Sequence, residues 1–261
     1  MRAGFFLCVL LFAPDALAWG LQTHVFLAQW LLAAAPFADP QIRAAALRLP
    51  RLVLAGACLP DLALAGRALG LAAFRRAHQW STLRRLAAAC WDEERAIAVG
   101  YASHLLADVV AHNRFVPEHE RRILDVPHVT HAICEWAMDE HVRPELEVQP
   151  AALLRVELST LTQAAARTFR CREGIASRGI RFLANAEWAL RASRLPGLCC
   201  RTMKLFHREA YLSEACALVR QVEAVLQGAE PRLQPEPDQA MAKEAPAMTA
   251  PSAPPAITSL G

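Results

Sequence analysis

GYASHLLADVVAHN, residues 100–113, carries the reading of this chain. Its Ala, Leu and Val residues suit a buried helix, yet His104, Asp108 and His112 recur at intervals of four. On an α-helix, residues four apart are offset by about 40° and rise about 6 Å. The three polar side chains therefore share one face and spread over about 12 Å. Buried charge is costly unless it is paired or bound to a metal. Imidazole nitrogens meet zinc at about 2 Å, so one ion does not easily hold both outer histidines. Asp108, with two oxygens, can touch one ion and a neighbour as well. The spacing points to a multi-metal site with a bridging carboxylate; a buried Asp–His hydrogen-bonded pair is the alternative these residues leave open.

A second stretch repeats the device. In HVTHAICEWAMDEH, residues 128–141, His131 and Glu135 are four apart among Ala, Ile, Cys and Trp, and Asp139 lies one step further along that face. One such pair on a helix is ordinarily a solvated surface pair. Two on separate apolar helices are hard to reconcile with unpaired burial. Upstream, Asp61 follows Pro60 in GACLPDLAL, His78 stands in RRAHQWS just before Trp80, and His24 lies near the start. Each of these alone reads equally as a cap or an exposed residue. Of the nine histidines, however, five fall between residues 104 and 131.

Composition sets the frame. Apolar residues make up 54% of the 261, with Ala and Leu abundant and Gly and β-branched types sparse, which favours helices over sheets. A net charge of +3 is too small to argue for nucleic acid. Met1-Arg2, the apolar stretch Gly4 to Ala13 and Ala16-Leu17-Ala18 form a signal peptide over residues 1–18, cleaved after Ala18. Its apolar stretch is too short for a stable bilayer span. The expected product is a periplasmic or secreted protein beginning at Trp19.

Residues 19–228 read as one all-α domain, a multi-helix bundle. Pro36, Pro40, Pro50 and Pro60 punctuate its first part, and helical spacing recurs over 151–171, 175–194 and 206–227. Seven of the 17 prolines fall in the last 31 residues, so 229–261 reads as a disordered Pro/Ala-rich tail. No C-x-x-C pair suggests a thiolate zinc cage. Among the cysteines, Cys171 with Cys199 or Cys200 is the disulfide pairing to test first in an exported protein. No G-x-G-x-x-G, Walker or G-x-S-x-G motif is present.

Trp19 directly after an Ala-Leu-Ala site, His24, Asp61, His78, His104-x-x-x-Asp108, His112 and His131-x-x-x-Glu135 together resemble the bacterial zinc-dependent phospholipase C family, related to the P1/S1 nucleases. The resemblance spans about residues 19–141. It implies three zinc ions. One would be held by Asp61, His78, His104 and Asp108. Asp108 would bridge to a second, held also by His24 and by the amino nitrogen and carbonyl oxygen of Trp19. The third would be held by His112, His131 and Glu135. A free α-amine has a pKa near 8 and can yield its proton to a metal, so signal cleavage would complete the site. One departure stands out: the ligand after the bridging Asp lies six positions on in the best-known members, where this chain has Arg114. His112 is four positions on, which leaves His119 and His128 open as the third-ion ligand.

The implied reaction is phosphodiester hydrolysis by a metal-bound hydroxide, with Asp61 orienting or deprotonating the water. A phospholipid at a membrane surface, cleaved at the glycerol–phosphate bond by a monomer, is the favoured substrate; Leu62 to Phe74 is a candidate lip. A P1/S1-type nuclease for single strands would instead need a basic, aromatic-lined groove, for which Arg75-Arg76, Arg84-Arg85 and Trp80 are available. A helical protein that binds zinc without catalysis is the third reading, because an open coordination position is what separates catalytic from structural zinc.

Overall fold

The computed structural model describes residues 20–34, 37–89, 91–122, 127–202 and 205–229. The expected signal peptide, Trp19 and residues 230–261 of the expected tail lie outside these. Every regular element among the described residues is helical, so the architecture is all-α. The chain opens with α1 (Leu21–Ala34), α2 (Pro40–Arg48) and α3 (Pro50–Gly56). After α4 (Leu62–Ala68), a 3-10 turn over Ala72–Arg76 and α5 (Trp80–Ala87), it enters α6 (Asp92–Val110). A π-helical turn, Ala111–Phe115, joins α6 to α7 (Val116–Arg122), and α8 (Pro127–Val142) follows. The remainder comprises α9 (Pro150–Val156), α10 (Leu158–Phe169), α11 (Glu173–Ala192), α12 (Leu195–Thr202), α13 (Arg208–Val219) and α14 (Val222–Leu226).

Local chemistry explains the breaks. Pro40, Pro50, Pro127 and Pro150 each open a helix, where the missing N–H has no intrahelical partner to lose. Asp39 caps α2 by accepting from Gln41 N at 2.8 Å and Ile42 N at 3.0 Å. Asp92, Glu93 and Glu94 place negative charge at the positive end of α6. Two of the three long helical stretches read from spacing are each split in the structure. The first divides at Glu157, whose side chain pairs with Arg51 at 3.2 Å, so that α9 and α10 both pack on α11. The last divides at Arg220–Gln221 into α13 and α14, both of which reach α6.

α6 is the axis of the bundle, packed by α1, α2, α3, α5, α13 and α14. Every residue from Ala96 to Val110 is buried, so this helix has no polar face turned to solvent. The closest neighbour is α3. A methyl group built on Gly100 would overlap the carbonyl oxygen of Val53, and one on Gly56 would overlap that of Ile97. Gly100→Ala is therefore expected to destabilise the fold by about 2–3 kcal/mol, by forcing the two backbones apart. An unchanged urea midpoint would show that the helices have room to spare.

A smaller apolar cluster joins α8, α11 and α12 through Trp136, Leu190 and Cys199. Cys171 packs on the main core, whereas Cys199 and Cys200 belong to the smaller cluster, and all described cysteines are free thiols. The pairing singled out from the sequence is not formed.

Candidate metal centre

Asp108, on the buried axis helix, meets histidines from its own helix and from two other segments. Its Oδ1 lies 3.3 Å from His24 Nε2 on α1. Its Oδ2 lies 3.1 Å from His104 Nε2, one turn back on α6, and 3.6 Å from His78 Nε2 in the turn before α5. The two oxygens thus face different imidazoles, as a bridging carboxylate would. His78 Nε2 is also 3.5 Å from Asp61 Oδ1 and 3.3 Å from His104 Nε2. The rings of His24 and His104 stack with centroids 3.5 Å apart. His24, Asp61, His104 and Asp108 are buried and His78 is half-buried.

Two overlapping groups have ligand atoms within 4.8 Å of one another: His24, His104 and Asp108, and Asp61, His78 and His104. His104 belongs to both. Its orientation is set by the backbone, since Nδ1 lies 2.7 Å from the Ala57 carbonyl oxygen. A carbonyl only accepts, so Nδ1 carries the proton and Nε2 turns its lone pair toward the other residues. His78 is steadied from next door, where the buried Tyr101 hydroxyl donates to the Ala77 carbonyl.

The donor set fits a cation. Both Asp108 oxygens, both His24 ring nitrogens and both Glu135 oxygens are buried, and among the described residues they make close imidazole–carboxylate approaches but no well-formed hydrogen bond. Uncompensated burial of that kind costs several kcal/mol per charged group. Nitrogen and carboxylate oxygen ligands are what zinc takes at about 2 Å.

A looser set lies alongside. His131 Nε2 is 2.8 Å from Glu135 Oε1, and the His112 and His131 ring centroids are 5.7 Å apart. Two imidazoles on one tetrahedral ion would have centroids roughly 5 Å apart. Two described residues near His112, Arg114 and the alternative His119, are engaged elsewhere. Arg114 is exposed, bonds Glu214 at 2.6 Å and lies over the Tyr211 ring. Both His119 nitrogens are engaged by backbone: Nδ1 with Phe115 O at 2.7 Å, and Nε2 accepting from Phe206 N at 2.9 Å. The His128 side chain lies outside the described ones. His112 stands in the π-turn, a widened geometry that recurs at functional sites and that helical spacing does not announce.

The electrostatics follow from burial. Burial alone would raise the Asp108 carboxyl, yet the His104 and His24 imidazoles hold it well below the usual carboxylate range. Loss of solvent lowers His112, aided by His78, His24 and His104 and opposed by Asp108. Glu135 moves the other way: burial, then the carboxylates of Asp61, Asp139, Asp108 and Glu120, push it well above its ordinary value. Metal-free protein therefore keeps a proton on Glu135 to higher pH than a free glutamate would. Were Glu135 to ligate zinc, binding would displace that proton. Calorimetry in buffers of different ionisation enthalpy is expected to show proton release that falls in Glu135→Gln; equal release would mean Glu135 is already ionised.

Sequence reasoning did not find Glu120, whose Oε1 lies 3.8 Å from His131 Nδ1. It stands in the charged run PEHERR, residues 117–122, which reads as solvated surface. Nor did it find the cleft beside the metal residues. Asp61 and Glu135 line that cleft together with Leu64, Trp136 and, from α11, Phe182, Leu183 and Leu190. Of the stretch expected to form a lip, Leu64 alone lines it, while Leu62, Ala65 and Phe74 are core.

An all-helical bundle whose buried imidazoles and carboxylates converge beside a small apolar cleft defines a candidate metal centre. Residues 23–170 match the family model described as zinc dependent phospholipase C, and the chain belongs to that family. No curated protein and no solved structure matches the chain.

Proposed function

We propose that this protein is an exported zinc-dependent phospholipase C, cleaving the glycerol–phosphate bond of phospholipids at a membrane surface as a monomer. The observation that carries the substrate reading is the cleft, in which the carboxylates of Asp61 and Glu135 meet a wall of Leu64, Trp136, Phe182 and Leu183. With zinc held by those carboxylates, a phosphodiester with an apolar tail would match both halves of that lining. The nuclease reading is weaker, because Trp80 is buried and offers no face for base stacking.

Three zinc ions are proposed. Asp61, His78, His104 and Asp108 would hold one, and His24, Asp108 and the Trp19 amino nitrogen and carbonyl oxygen another. His112, His131 and Glu135 would hold the third. When bound, zinc acts as a Lewis acid on phosphoryl oxygens and makes water more acidic. Asp61 lines both the metal group and the cleft, which supports a role in orienting the attacking water and taking its proton. Leu64 and Phe182 would hold the lipid glycerol end and exclude solvent from the reacting bond.

The test is turnover of phosphatidylcholine vesicles against single-stranded DNA by zinc-loaded protein. Release of phosphocholine and diacylglycerol without nucleotide release supports the proposal. Nucleotide release instead would favour the nuclease reading, and saturating zinc with neither activity would favour a non-catalytic role.

A further inference from the structure

The face of α8 that carries His131 and Glu135 continues one turn on to Asp139, which is fully buried. Asp139 does not share the exposure of its neighbours to a cation, because donors from two other helices occupy it. Oδ1 accepts from the Thr23 backbone N–H at 2.9 Å and from the Thr23 hydroxyl at 2.8 Å. Oδ2 accepts from Arg191 Nη2 on α11 at 2.7 Å. Arg191 also donates through Nε to Glu187 Oε1 at 2.9 Å, and that oxygen accepts from Gln22 Nε2 at 2.9 Å.

This network grips one place, the first turn of α1. The first N–H groups of a helix have no intrahelical partner, and negative charge there is favourable. Gly20 has no side chain with which to cap the turn, and a Cβ there would overlap the Asp139 carboxylate. Asp139 therefore caps α1 from across the bundle. Stability alone is a poor reason for the arrangement, since buried ion networks are often replaceable by apolar groups without loss. What an apolar contact would not supply is direction: two hydrogen bonds from Thr23 fix the register of α1 against α8, and Arg191 on α11 holds the accepting carboxylate in place.

His24 follows Thr23 directly, and Glu135 is one turn before Asp139. We infer that Asp139 and Arg191 are positioning residues, which hold His24 at the separation from His131 and Glu135 that the metal cluster requires. The inference rests on the proposed role of His24 as a zinc ligand.

Three variants of the full chain test it: Thr23→Val, Arg191→Met and His24→Ala. The readouts are zinc bound per chain at buffered free zinc, the visible absorption of the cobalt-substituted protein, and the thermal midpoint. Thr23→Val is expected to weaken one zinc roughly tenfold to a hundredfold, the range typical of groups behind a ligand, and to shift the cobalt bands. Arg191→Met should do so more strongly, and neither should add to the loss already present in His24→Ala. Should Arg191→Met fail to fold, Thr23→Val, which removes a single hydroxyl, decides the matter. A lowered thermal midpoint with unaltered zinc affinity and cobalt spectrum would overturn the inference and leave the network purely structural. If His24→Ala loses a zinc while Thr23→Val and Arg191→Met lose none, positioning alone is wrong. If His24→Ala keeps its full zinc complement, the ligand role of His24 fails and this inference with it.

Discussion

Asp108→Asn is expected to lower phosphodiester hydrolysis by at least about a thousandfold, at or above the loss seen when one electrostatic stabiliser of a transition state is removed. The reason is its place between three imidazoles, with Oδ1 toward His24 and Oδ2 toward His104 and His78. An amide keeps the shape but loses the charge, and its NH2 side has no lone pair with which to hold an ion. Zinc should fall from both of the tight groups at once, not from one. The apolar side chains of α6 are unchanged in the variant, so it should fold with a thermal midpoint lowered as by zinc removal. Zinc analysis alongside the rate measurement checks this. Loss of activity with full zinc content would assign Asp108 a role other than bridging.

Chelation is expected to have the second largest effect, and it reaches stability as well as rate. A ligand present at a thousand times its dissociation constant stabilises the folded state by about 4 kcal/mol. Two tight groups would thus contribute about 8 kcal/mol, and each kcal/mol moves the midpoint of a domain this size by about 2–4 °C. Removing zinc should lower the thermal midpoint by about 15 °C or more, and adding it back should restore the value. The direction follows from the residues left behind: Asp108 and Glu135 are buried, and their oxygens make close approaches to imidazoles but no well-formed hydrogen bond among the described residues. A midpoint indifferent to chelator would mean that these groups tolerate burial without a cation.

What the sequence disclosed and what it hid divide along a physical line. Helical spacing of four put His104 and Asp108 on one face, and in the structure they are 3.1 Å apart. Periodicity reports contacts within a helix, so this much was legible. That His24, from the start of the chain, lies beside Asp108 was implied by family resemblance alone, because no local pattern encodes a long-range contact. The π-turn at Ala111–Phe115 was invisible, since its apolar spacing differs little from that of an α-helix. Residues beyond 141 yielded no motif, yet α11 contributes Phe182 and Leu183 to the cleft and Arg191 to the grip on α1. Those residues carry no chemistry that spacing could flag; only the docking of α11 against α8 and α4 gives them a role. Glu157 was likewise read as part of a continuous helix, and its pairing with Arg51 is again a tertiary matter.

The most direct measurement is anomalous X-ray scattering at the zinc edge from crystals of the zinc-loaded protein. The account predicts peaks about 2 Å from His24 Nε2 and from Asp108, and others within reach of Asp61, His78 and His104. Density showing these side chains bonded only to one another or to water, with no anomalous peak among them, would contradict it.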